Sequence, residues 1–290
     1  MPELPEVEHV KRGIEPFIIN TIIKSVTFSS KVIDGKSDGK ETIIKGINLD
    51  GFRQFTEGYK IYKVERRSKY INIYIEKNQE CRVLISHLGM AGGFFIVNHL
   101  DEIHAPNYRK HWHVIFHLSN GKLLVYSDIR RFGEIRNVQA LNNYASFKNM
   151  APEPFDESAL DHYLTYLNQP KVQHKPIKQL ILDHKVIAGC GNIYACEALY
   201  RSAIHPATEV QSLNQQARQN LFLEVQAVLN EGIEYGGTSI SDYRHADGKT
   251  GTMQLRLNVY KQQQCKKCGH KIEQQVIATR NSHFCPVCQK

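Results

Sequence analysis

The chain has 290 residues, of which 41% are hydrophobic, 9% aromatic and 23% charged, a composition typical of a globular protein too large for one small core. Lys and Arg number 37 against 29 Asp and Glu, so the net charge of +8 favours a polyanionic partner. With no apolar run of about 18 residues and no signal-peptide pattern, the chain is expected to be soluble, cytoplasmic and without membrane contact.

The first element is a helix predicted to begin at Pro5, and three residues around its start could carry chemistry. Pro2, Glu3 and Glu6 are also common structural residues at helix starts. If Met1 is removed, however, Pro2 presents a secondary amine, and its attack on a sugar or carbonyl carbon gives an iminium directly. Glu3 and Glu6 would then lie close enough to donate a proton and to hold the reacting groups.

From about residue 22 to residue 138 the sequence favours strands. Residues 70–75 alternate in a period of two, and Ser119-Asn120-Gly121 is a hairpin signal between two β-rich runs. This half of the chain therefore predicts a β-sandwich preceded by one helix.

Between Asn142 and Asp156 the period-two pattern ends, and a period of 3.6 follows it. Helices are expected to about Leu167, after Pro176, from about Asn192 and from Ser212. The predicted domains are residues 1–148, 149–260 and 261–290. The fold class is α+β.

The last 26 residues contain four cysteines in the pattern C-x2-C-x16-C-x2-C, namely Cys265, Cys268, Cys285 and Cys288. Two such pairs joined by a hairpin form a closed tetrahedral zinc site. A segment this short has too little core to fold without metal. The sequence therefore predicts one structural zinc ion and a β-hairpin zinc finger.

The segment from Gly236 to Gly251 is too polar and glycine-rich for a core. It predicts a mobile lid over a ligand, with a disordered linker as the alternative.

Eight short motifs are spread along nearly the whole chain. They are M-P-E-L-P-E-V-E (1–8), R-R-S-K-Y (66–70), H-L-G-M-A-G (87–92), K-H-W-H (110–113), D-I-R-R-F-G (128–133), G-C-G-N-I-Y (189–194), G-G-T-S-I-S-D-Y (236–243) and D-G-K (247–249). In this order, and followed by the four-cysteine hairpin, they resemble the formamidopyrimidine-DNA glycosylases (Fpg), bacterial base-excision repair enzymes. The related endonuclease VIII branch typically opens P-E-G-P-E and lacks the R-R-F-G loop.

The resemblance implies that Pro2 attacks the sugar C1′ of the damaged nucleotide and that Glu3 is the general acid. It places Glu6 at the same site and gives Lys69 a contact with the phosphate next to the lesion.

An enzyme that acts on a base in a duplex must flip the nucleotide out and fill the void. The resemblance assigns this filling to Met90, Arg130 and Phe132, with Arg130 facing the estranged cytosine and Phe132 wedged into the stack. Ile129 and Ala91 stand where the family often has Pro and Ser, which leaves the stiffness of these loops open.

The remaining implied contacts lie mostly in the second half, where the family has a helix-two-turn-helix element at Gly189 to Tyr194. The implied phosphate contacts are His111, Lys178, Asn192 and Arg280, and the implied loop contacts with the extruded base are Thr238 and Tyr243.

The resemblance thus implies a monomeric, nucleoid-associated glycosylase and abasic-site lyase that removes 8-oxoguanine opposite cytosine and formamidopyrimidines from double-stranded DNA. The enzyme would cut the DNA strand on both sides of the lost nucleoside by β- and δ-elimination. The alternatives are an endonuclease VIII-like enzyme for oxidised pyrimidines and a non-catalytic zinc-finger DNA-binding protein. The sequence does not specify the order of preference among lesions, the turnover rate or any protein partners.

Overall fold

The computed structural model describes residues 2–239 and 243–290. They pack as two units, one of residues up to 148 with 236–252, and one of residues 149–235 with 253–290. Segment 236–252 therefore packs with the first unit, whereas the sequence interpretation grouped it with the helical domain. Its composition gave no signal for this, because the contacts that hold it are far away in sequence.

The first unit begins with helix α1 (Leu4–Ile18), which starts within one residue of the predicted position. Its apolar residues recur every three or four positions and form one buried stripe, made of Leu4, Val7, Val10, Ile14 and Ile18. This stripe joins a core shared with strands of both sheets. The helix is therefore fixed along its length by packing.

Eight antiparallel strands form two four-stranded sheets, which confirms the predicted sandwich. The strands are β1 (Ile23–Phe28), β2 (Lys60–Arg67), β3 (Tyr70–Lys77), β4 (Glu80–His87), β5 (Gly92–Val97), β6 (Trp112–Leu118), β7 (Leu123–Asp128) and β8 (Glu134–Val138). One sheet has the order β1-β6-β7-β5 and the other β2-β3-β4-β8. The hairpin expected at Ser119-Asn120-Gly121 joins β6 to β7.

Three short helices interrupt the strands and were not predicted: α2 (Ser30–Ser37), α3 (Leu49–Gln54) and α4 (Pro106–Lys110). Each buries a single side chain, Val32, Phe52 and Tyr108 respectively. One apolar residue cannot produce a period of 3.6, so the sequence held no helix signal there.

The second unit contains α5 (Ala159–Leu167), α6 (Ile177–Ile181), α7 (Asn192–Arg201), α8 (Gln215–Glu234) and the hairpin β9 (Glu273–Ile277) and β10 (Arg280–Phe284). The first three helices lie where they were expected. Helix α8 starts three residues after the expected Ser212, because Asn214 caps it by accepting a hydrogen bond from Ala217 N–H at 2.8 Å.

In the part of the chain that the structure describes, no helix has both the length and the apolar character needed to cross a membrane.

Candidate functional site

The start of α1 brings Pro2, Glu3 and Glu6 together in one turn, and all three are buried. Glu3 N–H donates to Glu6 Oε2 at 2.7 Å, and the Glu3 carboxylate accepts from the backbone N–H of Glu6. This reciprocal capping box satisfies backbone donors that the helix cannot. The two carboxylates are thus held by the backbone next to Pro2.

The other oxygen of Glu6 binds the segment that contains Thr238 and Tyr243. Thr238 N–H donates to Glu6 Oε1 at 2.7 Å, and Tyr243 Oη donates to the Glu6 carbonyl at 3.2 Å. Burial, followed by the charge of Glu6, raises the pKa of Tyr243, so its hydroxyl stays protonated and remains a donor. Both predicted loop residues are therefore buried beside α1.

Lys69 lies in the two-residue turn between β2 and β3. Ser68 adopts a positive φ of 56°, which tightens this turn. Arg66 fastens the turn to α1, since its Nε donates to Glu8 Oε2 at 3.0 Å and its guanidinium also donates to the Ser68 carbonyl at 3.1 Å. The half-buried Lys69 is thereby positioned relative to the start of α1.

The charge of Lys69 also affects His87, the last residue of β4. Burial, followed by the positive charge of Lys69, lowers the pKa of His87 to about 4. His87 ends β4 and accepts a hydrogen bond from Gly89 N–H on Nδ1 at 3.1 Å. His87 therefore stays neutral and supports the loop that contains Met90.

The loop between β7 and β8 presents Arg130 and Phe132 to solvent. Phe132 is 58% exposed, and the Arg130 guanidinium lies 4.8 Å from the centre of its ring. Asp128 fixes the loop by accepting from Arg130 N–H at 3.0 Å and from Gly133 N–H at 2.7 Å. An exposed aromatic ring on a loop whose backbone is held in this way is suited to insertion into another molecule.

Met90 is half-buried and lies beside that loop. Gly89 has a positive φ of 60°, and a Cβ on it would lie only 2.4 Å from Gly133 N. Only glycine allows this approach of the two backbones. The predicted set of Met90, Arg130 and Phe132 is therefore brought together by two adjacent loops.

His111 caps the end of α4 and precedes β6, with Nδ1 2.7 Å from the carbonyl of Asn107. Its neighbour in the motif, His113, is buried and bridges Ser29 Oγ at 3.2 Å and the Asp128 carbonyl at 3.0 Å. His113 is therefore structural, while His111 is half-buried at the surface.

In the second unit, Lys178 is fully buried and joins both helices of the helix-two-turn-helix element to the finger. Its Nζ donates to Asn192 Oδ1 at 2.6 Å and to Ser282 Oγ at 2.5 Å. Asn192 Nδ2 in turn donates to the carbonyl of Asn281 at 2.9 Å. Arg280 is the first residue of β10, the strand that contains Asn281 and Ser282, and it is exposed. Sequence reasoning did not find Ser282, because the contact spans 104 positions.

The four predicted cysteines form one cluster, with all four Sγ atoms within 4.8 Å of one another. The distance is 3.9 Å between Cys265 and Cys288, and 3.5 Å between Cys268 and Cys285. Four thiolates at Zn–S distances of about 2.3 Å lie about 3.8 Å apart in a tetrahedron, so these residues fit a zinc ion. The zinc is structural, because four protein ligands leave no position for a substrate.

The sequence interpretation did not identify Glu197 on α7 as a functional residue. In the structure its side chain is fully buried. Its carboxylate accepts from the backbone N–H groups of Asn258, Val259 and Tyr260 at 2.7 to 3.0 Å, and from Asn258 Nδ2 at 3.0 Å. It thus clamps the segment that leads into the finger. A glutamate in a mostly apolar helix was the only sign of it.

Comparison with known proteins assigns this arrangement to a class of DNA-repair proteins. The formamidopyrimidine-DNA glycosylase N-terminal domain matches residues 1–135, its H2TH domain matches 150–244, and the zinc finger found in FPG and IleRS matches 262–290. The chain is 37% identical to the formamidopyrimidine-DNA glycosylase of Exiguobacterium sp. over the whole of both chains. It is 38% identical to that of Streptococcus pneumoniae, with 100% of this chain and 99% of the relative covered.

Solved structures agree with the sequence relatives. The MutM (Fpg) protein of Thermus thermophilus superposes with a TM-score of 0.81 at 32% identity, covering 99% of this chain and 98% of that one. A Lactococcus lactis Fpg mutant in complex with a Fapy-dG containing DNA has a TM-score of 0.84 at 30% identity over the whole of both chains. The chain belongs to the formamidopyrimidine-DNA glycosylase family.

Proposed function

We propose that this protein is a base-excision repair DNA glycosylase and abasic-site lyase that removes oxidised purines, including formamidopyrimidines and 8-oxoguanine opposite cytosine. The observation that carries the proposal is the buried start of α1, where Pro2 adjoins two carboxylates held by a reciprocal capping box. The family relatives and the DNA complexes of the Lactococcus lactis protein support it.

The chemistry starts at Pro2 once Met1, which lies outside the described residues, has been removed. The Pro2 nitrogen attacks the sugar C1′, the bond from C1′ to the ring oxygen breaks, and Glu3 donates a proton to that oxygen. The bond from C1′ to the base then breaks, and the base takes up the proton that the Pro2 nitrogen loses, which leaves an iminium at C1′. The resulting iminium acidifies the adjacent C2′ proton, so that β- and then δ-elimination cut the strand on both sides. Glu6 keeps the turn in place through its bond to Glu3 N–H.

The two adjacent loops that contain Met90 and Arg130 to Phe132 supply the void-filling contacts in this proposal. Phe132 enters the base stack as a wedge, Arg130 pairs with the estranged cytosine, and Met90 fills the space left by the flipped nucleotide. The exposure of Arg130 and Phe132 and the contact between them support their roles, and Met90 lies on the adjacent loop. Lys69 holds the phosphate next to the lesion near Pro2.

The second unit supplies backbone contacts. Asn192 and Arg280 contact phosphates, and His111 in the first unit contributes a further contact. Lys178 also contacts phosphate in this proposal, and its bonds to Asn192 and Ser282 additionally align the helices with the finger. Thr238 and Tyr243 belong to the loop over the extruded base. We further propose sequence domains at 1–148, 149–260 and 261–290, with segment 236–252 of the second packing with the first. We also propose a monomeric state and action at the nucleoid.

Borohydride trapping on a duplex with 8-oxoguanine opposite cytosine tests this function. We expect a covalent adduct with the wild type and a severe loss of trapping with Pro2→Gly, because the iminium forms on Pro2. Glu3→Gln should block base release and leave DNA binding largely intact. Glu15→Gln, at the other end of α1, is the matched control and should behave as wild type.

Efficient base release by Glu3→Gln would refute the acid assignment. The relative excision rates from duplexes with 8-oxoguanine and with an oxidised pyrimidine separate the endonuclease VIII-like alternative, which predicts preference for the pyrimidine. Binding alone does not separate them, since a Lactococcus lactis Fpg has been solved with an oxidised pyrimidine containing DNA. Binding without adduct on either duplex, or a mature protein that retains Met1, would favour a non-catalytic DNA-binding protein.

A further inference from the structure

Helix α1 has a second feature beyond its catalytic start. Glu6, His9 and Gly13 are spaced by three and four positions, so they lie on one face of the helix. All three contact the segment of residues 236–252, which belongs to the same unit. The contacts continue along two turns of the helix.

The three contacts differ in kind. Glu6 accepts the hydrogen bond from Thr238 N–H at 2.7 Å. The ring of His9 stacks on that of His245, with centres 5.1 Å apart and planes 14° from parallel. At Gly13 the approach is steric, since a Cβ there would lie 2.8 Å from the Cβ of Ala246.

The segment is also tied to itself. His245 Nε2 lies 2.7 Å from the carbonyl of Gly236, and Gly251 N–H donates to Ser239 Oγ at 3.0 Å. The two described stretches, 236–239 and 243–252, are therefore joined to each other as well as to α1. A shift of one stretch along α1 would move the other with it.

We propose that α1 is the seat of this segment, meaning the surface against which the segment packs. We also propose that His9 and Gly13 are positioning residues for recognition of the extruded base. The inference rests on the proposed function and adds to it. Because the same helix holds Pro2 and Glu3, the seat sets the position of the base-covering segment relative to the reacting atoms. Recognition of the base would then depend on contacts as far as about three helical turns from the chemistry.

Gly13→Ala tests the seat sharply. Alanine has the higher helix propensity, so the substitution should not weaken α1 itself. Its methyl group would collide with Ala246 and push the segment away. We expect excision of 8-oxoguanine to fall by about tenfold, as for an overpacked contact. Cleavage at a preformed abasic site, which has no base to cover, should stay within about twofold of wild type on the same scale.

The double variant Gly13→Ala with Ala246→Gly moves the methyl group from one side of the contact to the other, and should restore excision. Gly51→Ala in α3 is the matched control, because its added Cβ would lie 2.9 Å from Asn48 Oδ1, in a helix to which the proposal gives no part in the site. It should leave both reactions unchanged.

Amide hydrogen exchange gives a readout independent of activity. Thr238 and Gly251 N–H should be protected in wild type, exposed in Gly13→Ala and protected again in the double variant. Equal loss of both reactions, no loss of either, or unaltered exchange in Gly13→Ala would each overturn the seat. A wild type that excises no base but shows the expected exchange pattern would overturn the proposed function and leave the seat standing as a structural contact.

Discussion

Two hairpins of this protein each present a cation at a tight two-residue turn, yet different forces hold them. The first joins β2 to β3 through Ser68 and Lys69, and the second joins β9 to β10 through Ala278 and Thr279, with Arg280 directly after the turn. Strand β3 buries Ile71, Ile73 and Ile75 in the sandwich core, whereas the hydrophobic side chains buried by the second hairpin are Ile277 of β9 and Phe284 of β10.

The first hairpin therefore derives its stability from apolar burial inside a four-stranded sheet. The second is a two-stranded sheet, a structure that is marginal in water by itself, and it depends on the cysteine cluster. A similar local shape thus has two separate sources of stability, which can be removed one at a time.

The largest expected effect comes from the metal. Cys285→Ser or Cys288→Ser should release zinc and unfold the finger, because a structural zinc site contributes about 10 kcal/mol or more to folding. Zinc content by mass spectrometry and amide exchange of residues 273–284 measure this, with the β2–β3 hairpin as the internal control. One zinc per chain in both variants would disprove the four-thiolate site.

An effect of acid is expected at the end of β4, where His87 pairs with Tyr70 of the first hairpin. The pKa of His87 in the folded protein is about 4, below the usual value near 6.5. Between these values the unfolded chain binds more protons, so the stability falls as the pH falls from about 6.5 to 4. For a half-buried group we expect roughly 1–3 kcal/mol.

Urea unfolding of wild type and His87→Gln over this pH range measures the difference. The variant should lose the His87 part of the pH dependence, and an identical pH dependence in both proteins would show that His87 does not titrate in this window.

The salt dependence of DNA binding compares Lys69 and Arg280, the cations of the two hairpins. Lys69→Ala and Arg280→Ala should each weaken binding to damaged and undamaged duplex alike and lower the salt slope by about one unit, as for one lost phosphate contact. Phe132→Ala should leave the slope almost unchanged and reduce capture of the lesion, because a wedge acts on stacking. Affinities across a salt series decide this. An equal slope change for Phe132→Ala would contradict its role as a wedge.

The smallest expected effect lies in the second turn. Ala278 and Thr279 both adopt positive φ, at 49° and 64°, a conformation that Asn-Gly adopts with less strain. Replacing the pair by Asn-Gly should stabilise the finger by about 1 kcal/mol, seen as a lower zinc-release rate in a chelator. A faster release would show that the turn is not strained.

What the sequence could predict was local. Cysteine spacing identified the metal site, and the separation of Glu3 and Glu6 matches the capping box that the structure contains. The contacts that the sequence could not predict join distant positions. Lys178 with Ser282 and His9 with His245 leave no periodic pattern, because packing of whole elements decides which residues meet.

Glu197 has a consequence for how the protein acquires its metal. Its carboxylate holds Asn258, Val259 and Tyr260 through hydrogen bonds that involve none of the four cysteines. A chain stripped of zinc should therefore keep the start of the finger anchored to α7, in addition to the bonds from Lys178 and Asn192 to β10. Reloading then becomes a short loop closure within an already folded protein, and its rate should depend on metal supply and not on refolding of the second unit.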